Sequence, residues 1–253
     1  MLGTSPVHKL YAEAVGDGMT DLTGDEFIRR LSALPLLHDP GTEWHYGFGF
    51  DLLGLIVESL VGTPLRAYLA THVFEPLGML DTTFGGPGED VERYAVPFPL
   101  DPETGAPQAL PDLTRARFDS GGAGLVSSAG DYLRFVQMLL TGGNAGPGRL
   151  LGRKTVQYML SDQLDPTTDT RQLEKPGWNC GHGFGLGLAV RRRSGGASTA
   201  GSIGEATWPG AAGTTWWVDP REDIGVVFMA HTPSRIQARY QQQIKALVTQ
   251  ALG

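Results

Sequence analysis

The chain has 253 residues, 41% of them hydrophobic, and carries 20 basic against 27 acidic side chains for a formal charge of −7. This content can bury a sizeable core, as one large domain or two closely packed lobes. The scattered basic residues argue against a nucleic-acid surface, and we interpret the one short run, Arg191 to Arg193, as a solvated strand end.

The single cysteine, Cys180, excludes an intrachain disulfide and suits a reducing compartment. The sequence has neither a secretory leader at its start nor a run of about 20 apolar residues, the length that a membrane span needs. We therefore expect a soluble, cytoplasmic protein without a membrane partner.

Two early helices are predicted from their caps. The first lies in LTGDEFIRRLSALPLL, with Thr23 or Asp25 near its N-cap and Pro35 after it. The other lies in TPLRAYLATHVFEPLGM, where Thr63 is the expected cap and Pro64 the first helical residue.

Between them, an apolar stripe beginning at Phe50 predicts a further helix that Gly62 ends. The apolar residues recur at helical spacing, and we expect their side chains to form one buried face. This stripe consists of Leu52, Leu53, Ile56, Val57 and Leu60.

The middle of the chain, from Gly85 to Phe118, is rich in Pro, Gly and Asp and is interpreted as an extended excursion with a short hairpin around DPETG. A helix capped by Ser128 is predicted in SAGDYLRFVQMLLTGG, where Asp131 is interpreted as an acid of the first helical turn rather than a catalytic acid. Another helix is predicted in GRKTVQYMLSDQ.

After Gly183 the pattern changes to strands. FGLGLAVRR, AGTTWWVDP and IGVVFMAH are apolar or alternating runs, and DPRED is the turn of an antiparallel hairpin between the last two. RIQARYQQQIKALVTQAL then predicts a closing helix. Helices first, strands later and a final helix favour an α+β fold whose sheet is covered by the terminal helix.

No cofactor or metal ion is expected. The glycine-rich segments GGAG (121–124) and GFGLGLAV (183–190) lack the strand, G-x-G-x-x-G, helix order of a dinucleotide site, so close packing of the backbone is the better interpretation. The six histidines lack the spacing H-x-x-x-H or H-E-x-x-H, which argues against a metal site.

Four segments, taken in order, resemble the serine β-lactamase-related family, the class C β-lactamase-like group that includes esterases and acyltransferases. They are PGTEWHYGFGFDLLGLIVESLVGTPLRAYLATHVFEPLGMLDTTF, GGAGLVSSAGDYLRFVQMLLTGG, GFGLGLAV and WPGAAGTTWWVDP. The resemblance runs from about Leu31 to the final helix. It implies a β-lactamase/transpeptidase-like α+β fold, with an antiparallel sheet flanked by helices and a mainly helical lobe.

The resemblance also implies a division of the chain. We expect a single domain over residues 1–253, with the helical lobe at about 20–182 and the sheet with its last helix at about 183–253. The family's nucleophile segment would be missing from its N-terminal side.

The chemistry of the family is acyl transfer through the serine of an S-x-x-K motif, with a tyrosine sharing in proton transfer. The resemblance places Tyr46 at the position of that tyrosine; the alternative is a core aromatic residue at the start of a helix. A phenol with an ordinary pKa of about 10 needs a nearby cation to act as a base near neutrality. Tyr46 therefore depends on the lysine.

WPGA matches the family's third element, which is K-T-G in β-lactamases and often W-G-G or H-G-G in the esterase-like members. By this resemblance the Ala211 N–H is an oxyanion donor, Gly210 allows close approach of the acyl group, and Trp208 is either a pocket wall or a core residue. Phe48 and Pro209 depart from the β-lactamase pattern. With the lysine of K-T-G also absent, ester chemistry is favoured over penicillin hydrolysis.

No serine in the sequence is followed by lysine three positions later. The first hypothesis is therefore an esterase-like serine hydrolase lacking its nucleophile segment, inactive alone, with a small-molecule ester as substrate and a complementary N-terminal fragment or a dimer partner. The second is a non-catalytic remnant or binding module that keeps the pocket. A missing segment predicts an exposed apolar surface where it would dock.

Overall fold

The computed structural model describes residues 5–16, 21–86, 91–108, 112–146, 148–174, 180–232 and 236–252. Its helices are α1 Pro6–Val15, α2 Gly24–Ser32, α3 Gly49–Val61, α4 Leu65–Leu69, α5 Glu75–Leu77, α6 Ala129–Leu140, α7 Arg153–Met159 and α8 Ile236–Ala251. Its strands are β1 Thr83–Phe84, β2 Leu125–Val126, β3 Asn144–Ala145, β4 Gly148–Arg149, β5 His182–Phe184, β6 Ala189–Arg191, β7 Ala206–Thr207, β8 Thr215–Asp219 and β9 Ile224–Phe228. The fold is α+β, as predicted.

Strands β5 to β9 form one antiparallel sheet in chain order, so each strand pairs with the next along the sequence. The predicted hairpin around DPRED is confirmed, because β8 pairs with β9 in a register that sets Trp217 opposite Val226. FGLGLAVRR is two paired strands rather than one. The chain turns between them, where the Gly185 N–H donates to Leu188 O at 2.8 Å and Gly187 has a φ of +90°.

Helices α6 and α8 lie on opposite faces of this sheet. Trp216 packs on α6, with its ring centroid 5.9 Å from that of Tyr132 and 6.1 Å from that of Phe135. Trp217 points to the other face, where the Lys245 ammonium of α8 lies 5.3 Å from its ring centroid. The alternation of a strand thus sends the two neighbouring tryptophans to different helices, and the predicted cover by the terminal helix is confirmed.

Most of the predicted helix ends are confirmed by their capping contacts. Thr23 accepts a hydrogen bond from the Glu26 N–H, Ser128 accepts one from the Asp131 N–H, and Gly62 ends α3 with a φ of +71°. The predicted Thr63 cap was wrong, because α4 begins one residue later.

Pro64 occupies the N-cap position of α4 and makes no side-chain cap. The Leu65 N–H instead donates to Glu58 Oε1 of α3 at 2.7 Å, so a carboxylate from the neighbouring helix satisfies this helix start. A π-helical segment, Ala70–Phe74, then joins α4 to α5.

The expected burial of the apolar stripe on α3 was wrong. Leu53, Ile56 and Leu60 are 52%, 50% and 80% exposed, whereas Gly54 and Leu55 are buried. The reason is a close approach at Gly54: a Cβ there would lie 2.9 Å from a Leu65 methyl carbon. The helix therefore turns its small residue, and not its apolar stripe, toward α4.

The interpretation of Arg191 as a solvated residue was also wrong. Arg191 and Glu205 are each 1% exposed, with Arg191 Nε 3.6 Å from Glu205 Oε1. Glu205 also pairs with Lys245 of α8. The remaining two arginines of the run, Arg192 and Arg193, are more exposed and both bind the partly buried carboxylate of Glu174.

The glycine-rich segments pack closely, as predicted. A Cβ on Gly121 would lie 2.3 Å from the Phe50 carbonyl oxygen, and one on Gly185 would lie 2.2 Å from the Met159 carbonyl oxygen. Neither position has room for a side chain. Among the described helices none is by itself long and apolar enough to cross a membrane, and α3 with residues 65–77 passes that test only as a pair bent by 81°.

Candidate active site around Tyr46

The backbone before α3 is held by a distant loop, and this fixes the position of Tyr46. The Trp44 N–H donates to Asp169 O at 2.9 Å, and the Asp169 N–H donates to Thr42 O at 2.8 Å. The Tyr46 N–H donates to Gln172 Oε1 at 2.6 Å. Tyr46 is 37% exposed, so its phenol stays accessible while its main chain is anchored.

Tyr46 belongs to a cluster of four aromatic rings drawn from three parts of the chain. Its ring centroid lies 5.6 Å from that of Trp208 and 6.4 Å from that of Trp44. Phe184 completes the cluster, 5.3 Å from Trp208 and 5.2 Å from Trp44. The fold therefore brings the tyrosine before α3 together with the tryptophan of WPGA.

A hydrogen bond joins Tyr46 and Trp208 directly. Because an indole nitrogen can only donate, the phenol oxygen is the acceptor. Burial raises the pKa of Tyr46 above its ordinary value, the hydrogen bond from Trp208 opposes this rise, and the negative charge of Asp51 adds to it. The phenol is thus held in its protonated form at neutral pH.

Asp51 is a site residue that the sequence analysis missed. It lies in the first turn of α3, where it accepts hydrogen bonds from the Ser120 hydroxyl and from the Gly122 N–H. Ser120 Oγ in turn accepts the N–H groups of Gly122 and Ala123 at 3.2 and 3.0 Å. Burial nevertheless raises the pKa of Asp51. One signal could have found it: a lone acid at the start of an apolar helix.

The WPGA segment follows β7 and enters a tight turn. The Gly210 N–H donates to Thr214 O at 2.8 Å, and the Gly213 N–H donates to Gly210 O at 3.1 Å. Gln241 of α8 also donates to Thr214 O, at 3.1 Å. Ala211 lies exposed at this turn. The last helix of the chain therefore helps to hold the segment to which the resemblance assigns the oxyanion donor.

Gly210 has no space for a side chain. A Cβ there would lie 2.1 Å from Thr214 Oγ1. Glycine is needed here because of this contact across the turn. The backbone angle does not require it, because Gly210 is not among the glycines with positive φ.

A second chain of hydrogen bonds reaches Tyr46 from α1. Ser5 Oγ lies 2.6 Å from His8 Nδ1, and His8 Nε2 lies 2.9 Å from His45 Nε2. The His45 ring lies 3.1 Å from Gln172 Nε2, and Gln172 accepts from the Tyr46 N–H. His45 is too far from both His8 and Gln172 in the sequence for spacing rules to join them.

Comparisons with known proteins identify the family of the chain. The family described as Beta-lactamase matches residues 4–250. Esterase EstB of Burkholderia gladioli is 31% identical over 249 residues, covering 91% of this chain and 60% of the esterase. A protein of Mycobacterium tuberculosis is 36% identical over 220 residues, covering 83% of this chain and 54% of that protein. The chain thus spans little more than half the length of these relatives.

Solved structures give the same result. The hydrolase EstCE1, described as having promiscuous acyltransferase activity, superimposes with a TM-score of 0.72 at 28% identity, over 95% of this chain and 65% of that one. Simvastatin synthase from Aspergillus terreus superimposes with a TM-score of 0.77 at 21% identity, over 98% of this chain and 65% of that one, and supports the fold alone. With the family match over nearly its whole length, the chain belongs to the β-lactamase family and has the β-lactamase/transpeptidase-like fold.

Proposed function

We propose that this chain is part of a serine acyl hydrolase of esterase or acyltransferase type, with a small-molecule ester as substrate. The observation that carries the proposal is the contact between Tyr46 and Trp208, with their ring centroids 5.6 Å apart. It joins the two elements that the family resemblance assigns to proton transfer and to oxyanion binding. Two relatives support ester chemistry by name, the esterase EstB and a monacolin J acid methylbutanoyltransferase of Aspergillus terreus.

In the proposed reaction a serine hydroxyl attacks the ester carbonyl, and its proton passes to the pair formed by a lysine and Tyr46. The carbonyl oxygen becomes an oxyanion, held by the Ala211 N–H and the N–H of the serine. Collapse of this intermediate expels the alcohol, which takes up a proton. Water or a second alcohol then attacks the acyl-serine, and the acid or new ester leaves.

The state of Tyr46 suits this role only when a cation is near. Burial and the charge of Asp51 raise the pKa of its phenol, so alone it is a proton donor and a poor base. A lysine ammonium beside the phenol would favour the phenolate and lower that pKa. The pair, and not the tyrosine by itself, would accept the proton of the serine.

We propose further that the serine and lysine come from polypeptide outside these 253 residues. None of the serines in the sequence begins an S-x-x-K motif. The exposed stripe of Leu53, Ile56 and Leu60 on α3 is an apolar surface of the kind that a missing segment or a dimer partner would cover. On this proposal the chain alone is inactive.

Hydrolysis of a p-nitrophenyl ester and labelling by a fluorophosphonate test this proposal. The chain alone should give neither turnover nor a labelled serine. The chain joined to the part of EstB that lies outside the aligned region should gain both, and Tyr46→Phe in this fusion should slow turnover by about 10²- to 10⁴-fold, as for loss of a general acid or base.

Each other outcome has a definite meaning. Turnover and labelling by the chain alone would place the nucleophile among its own serines. A folded fusion that shows neither would favour the second hypothesis, a non-catalytic remnant or binding module.

A further inference from the structure

Tyr46 also lines a cleft, to which Trp208 does not contribute. Its volume is about 540 Å³, and it runs between α2, residues 34–41 and residues 45–49. Because Tyr46 is one of its lining residues, a group bound in the cleft contacts the residue that the resemblance assigns to proton transfer. The cleft has a large aliphatic part, formed by Ile28, Leu31, Leu34, Leu36, Leu37 and Leu52.

Hydrogen bonds hold the walls of the cleft in position. The Tyr11 hydroxyl donates to Pro35 O at 2.9 Å and ties α1 to the 34–41 segment. His45, on another wall, is held by His8 and Gln172. A cavity of this size lies in the range of pockets that bind small organic molecules.

The charges at the cleft are acidic. Glu43 and Asp39 line it together with His38 and His45, and neither lysine nor arginine is among its described lining residues. Glu43 Oε1 lies 3.1 Å from His38 Nδ1, so one of the two histidines at the cleft already faces a carboxylate. A bound carboxylate would lose water and gain no partner of opposite charge.

We propose that this cleft is the subsite for the apolar part of the substrate, that it takes a neutral aliphatic chain of several carbons, and that it rejects chains ending in a carboxylate. This inference rests on the proposed function for its link to ester chemistry. The selectivity itself follows from the aliphatic lining residues and from the two acidic ones, Asp39 and Glu43. Each added methylene should strengthen binding about fourfold until the cleft is full.

The test is a binding titration of the purified chain at about pH 8, where free histidine is neutral. Octanamide and octanoate match in length and differ in charge, and butanamide and hexanamide vary the length. Methyl NMR of Leu, Ile and Val reports both affinity and location. We expect octanamide to shift the methyl signals of Ile28 and Leu31, to bind tighter than its shorter homologues, and to bind at least tenfold tighter than octanoate.

Two matched pairs of variants locate the effect. Ile28→Trp fills the cleft from an exposed helix face and should abolish octanamide binding, whereas Leu80→Trp, at a residue that is 84% exposed and outside the cleft lining, should leave it unchanged. Glu43→Lys should strengthen octanoate binding about tenfold with octanamide unchanged. Glu103→Lys changes the net charge by the same amount, at a distant exposed ion pair, and should leave the binding of both ligands unchanged.

Octanoate binding as tight as octanamide, or shifts that survive Ile28→Trp, would overturn the inference. If the same methyl signals shift with protein concentration alone, a second copy of the chain occupies the cleft. This result would also overturn the inference. Binding can be measured without turnover. If the fusion is inactive and octanamide binds in the cleft as expected, only the proposed function is contradicted. If the fusion is active and octanamide does not bind in the cleft, only the subsite is contradicted.

Discussion

The indole N–H of Trp208 donates a hydrogen bond to the phenol oxygen of Tyr46, and the centroids of the two rings lie 5.6 Å apart. The contact couples the segment that leads into α3 to the turn that follows β7. A change in the charge of the phenol therefore changes the strength of a hydrogen bond to the segment that contains Gly210 and Ala211.

Trp208→Phe should raise the pKa of Tyr46 further. The hydrogen bond from Trp208 opposes the rise that burial causes, because a donor to the phenol oxygen stabilises the phenolate. Phenylalanine keeps an aromatic ring and removes the donor. An ultraviolet difference titration of the phenolate band, with the signal of Tyr46→Phe subtracted, measures the shift. A lower pKa in the variant would contradict the assigned bond.

Asp51→Asn should shift the pKa of Tyr46 in the other direction, downward, because the negative charge of Asp51 disfavours the phenolate. Asparagine can still accept from the Ser120 hydroxyl, so we expect a stability loss of only about 1 kcal/mol. The same titration checks the pKa, and urea unfolding checks the stability. Asp112→Asn, at an exposed acid of a 3₁₀ turn, is the control and should leave Tyr46 unchanged.

Gly210→Ala should destabilise the chain by about 1–3 kcal/mol, as for an overpacked site. The new methyl group would meet Thr214 Oγ1 at 2.1 Å. Gly47→Ala is the matched control, because a Cβ there has no neighbour within 4 Å. Thr214→Ala should restore most of the loss in the double variant. Urea unfolding of the four proteins gives the coupling, and strictly additive losses would exclude the proposed clash.

Tyr132 should make stability depend on pH in the alkaline range. Burial raises the pKa of Tyr132 to about 12, and the hydrogen bond from Trp216 opposes this only in part. The unfolded chain ionises at a pKa of about 10, so the native state keeps its proton longer. The stabilisation is complete below about pH 10 and is lost as the pH rises toward about 12.

The variant Tyr132→Phe isolates this effect. Between about pH 9 and about pH 11 the wild-type chain should lose about 1 kcal/mol more unfolding free energy than the variant. Tyr158→Phe, at a residue that is 59% exposed, should behave like the wild type. Parallel pH profiles for the wild type and Tyr132→Phe would show that Tyr132 ionises normally in the folded protein.

Local signals predicted the elements well because the contacts that they depend on are local. Thr23 and Ser128 cap their helices through N–H groups three residues away, and a glycine with positive φ ends α3. The strands and the DPRED turn follow from alternation and turn residues within a few positions. The family motifs single out Tyr46 and WPGA from short segments in the same way, and their roles stay predictions.

The burial of particular faces could not be predicted in this way. The stripe of α3 has the spacing of a buried face, yet Leu60 is 80% exposed, because Gly54 sets the approach of α4. Arginine is usually a surface residue, yet Arg191 is buried against Glu205. In both cases the partner lies outside the helix or strand concerned, and periodicity within one element does not show which residues of another segment it meets.

The sequence by itself therefore determined the α+β order of elements, most of their caps and turns, and the family, and it predicted roles for Tyr46 and WPGA. The tertiary structure alone decided that Trp208 donates to Tyr46, that Ser120 donates to Asp51, and that α2 lines a cleft beside Tyr46. The physical reason is distance along the chain. Propensity and capping act over a few residues, whereas burial and pKa depend on groups that only the complete packing brings together.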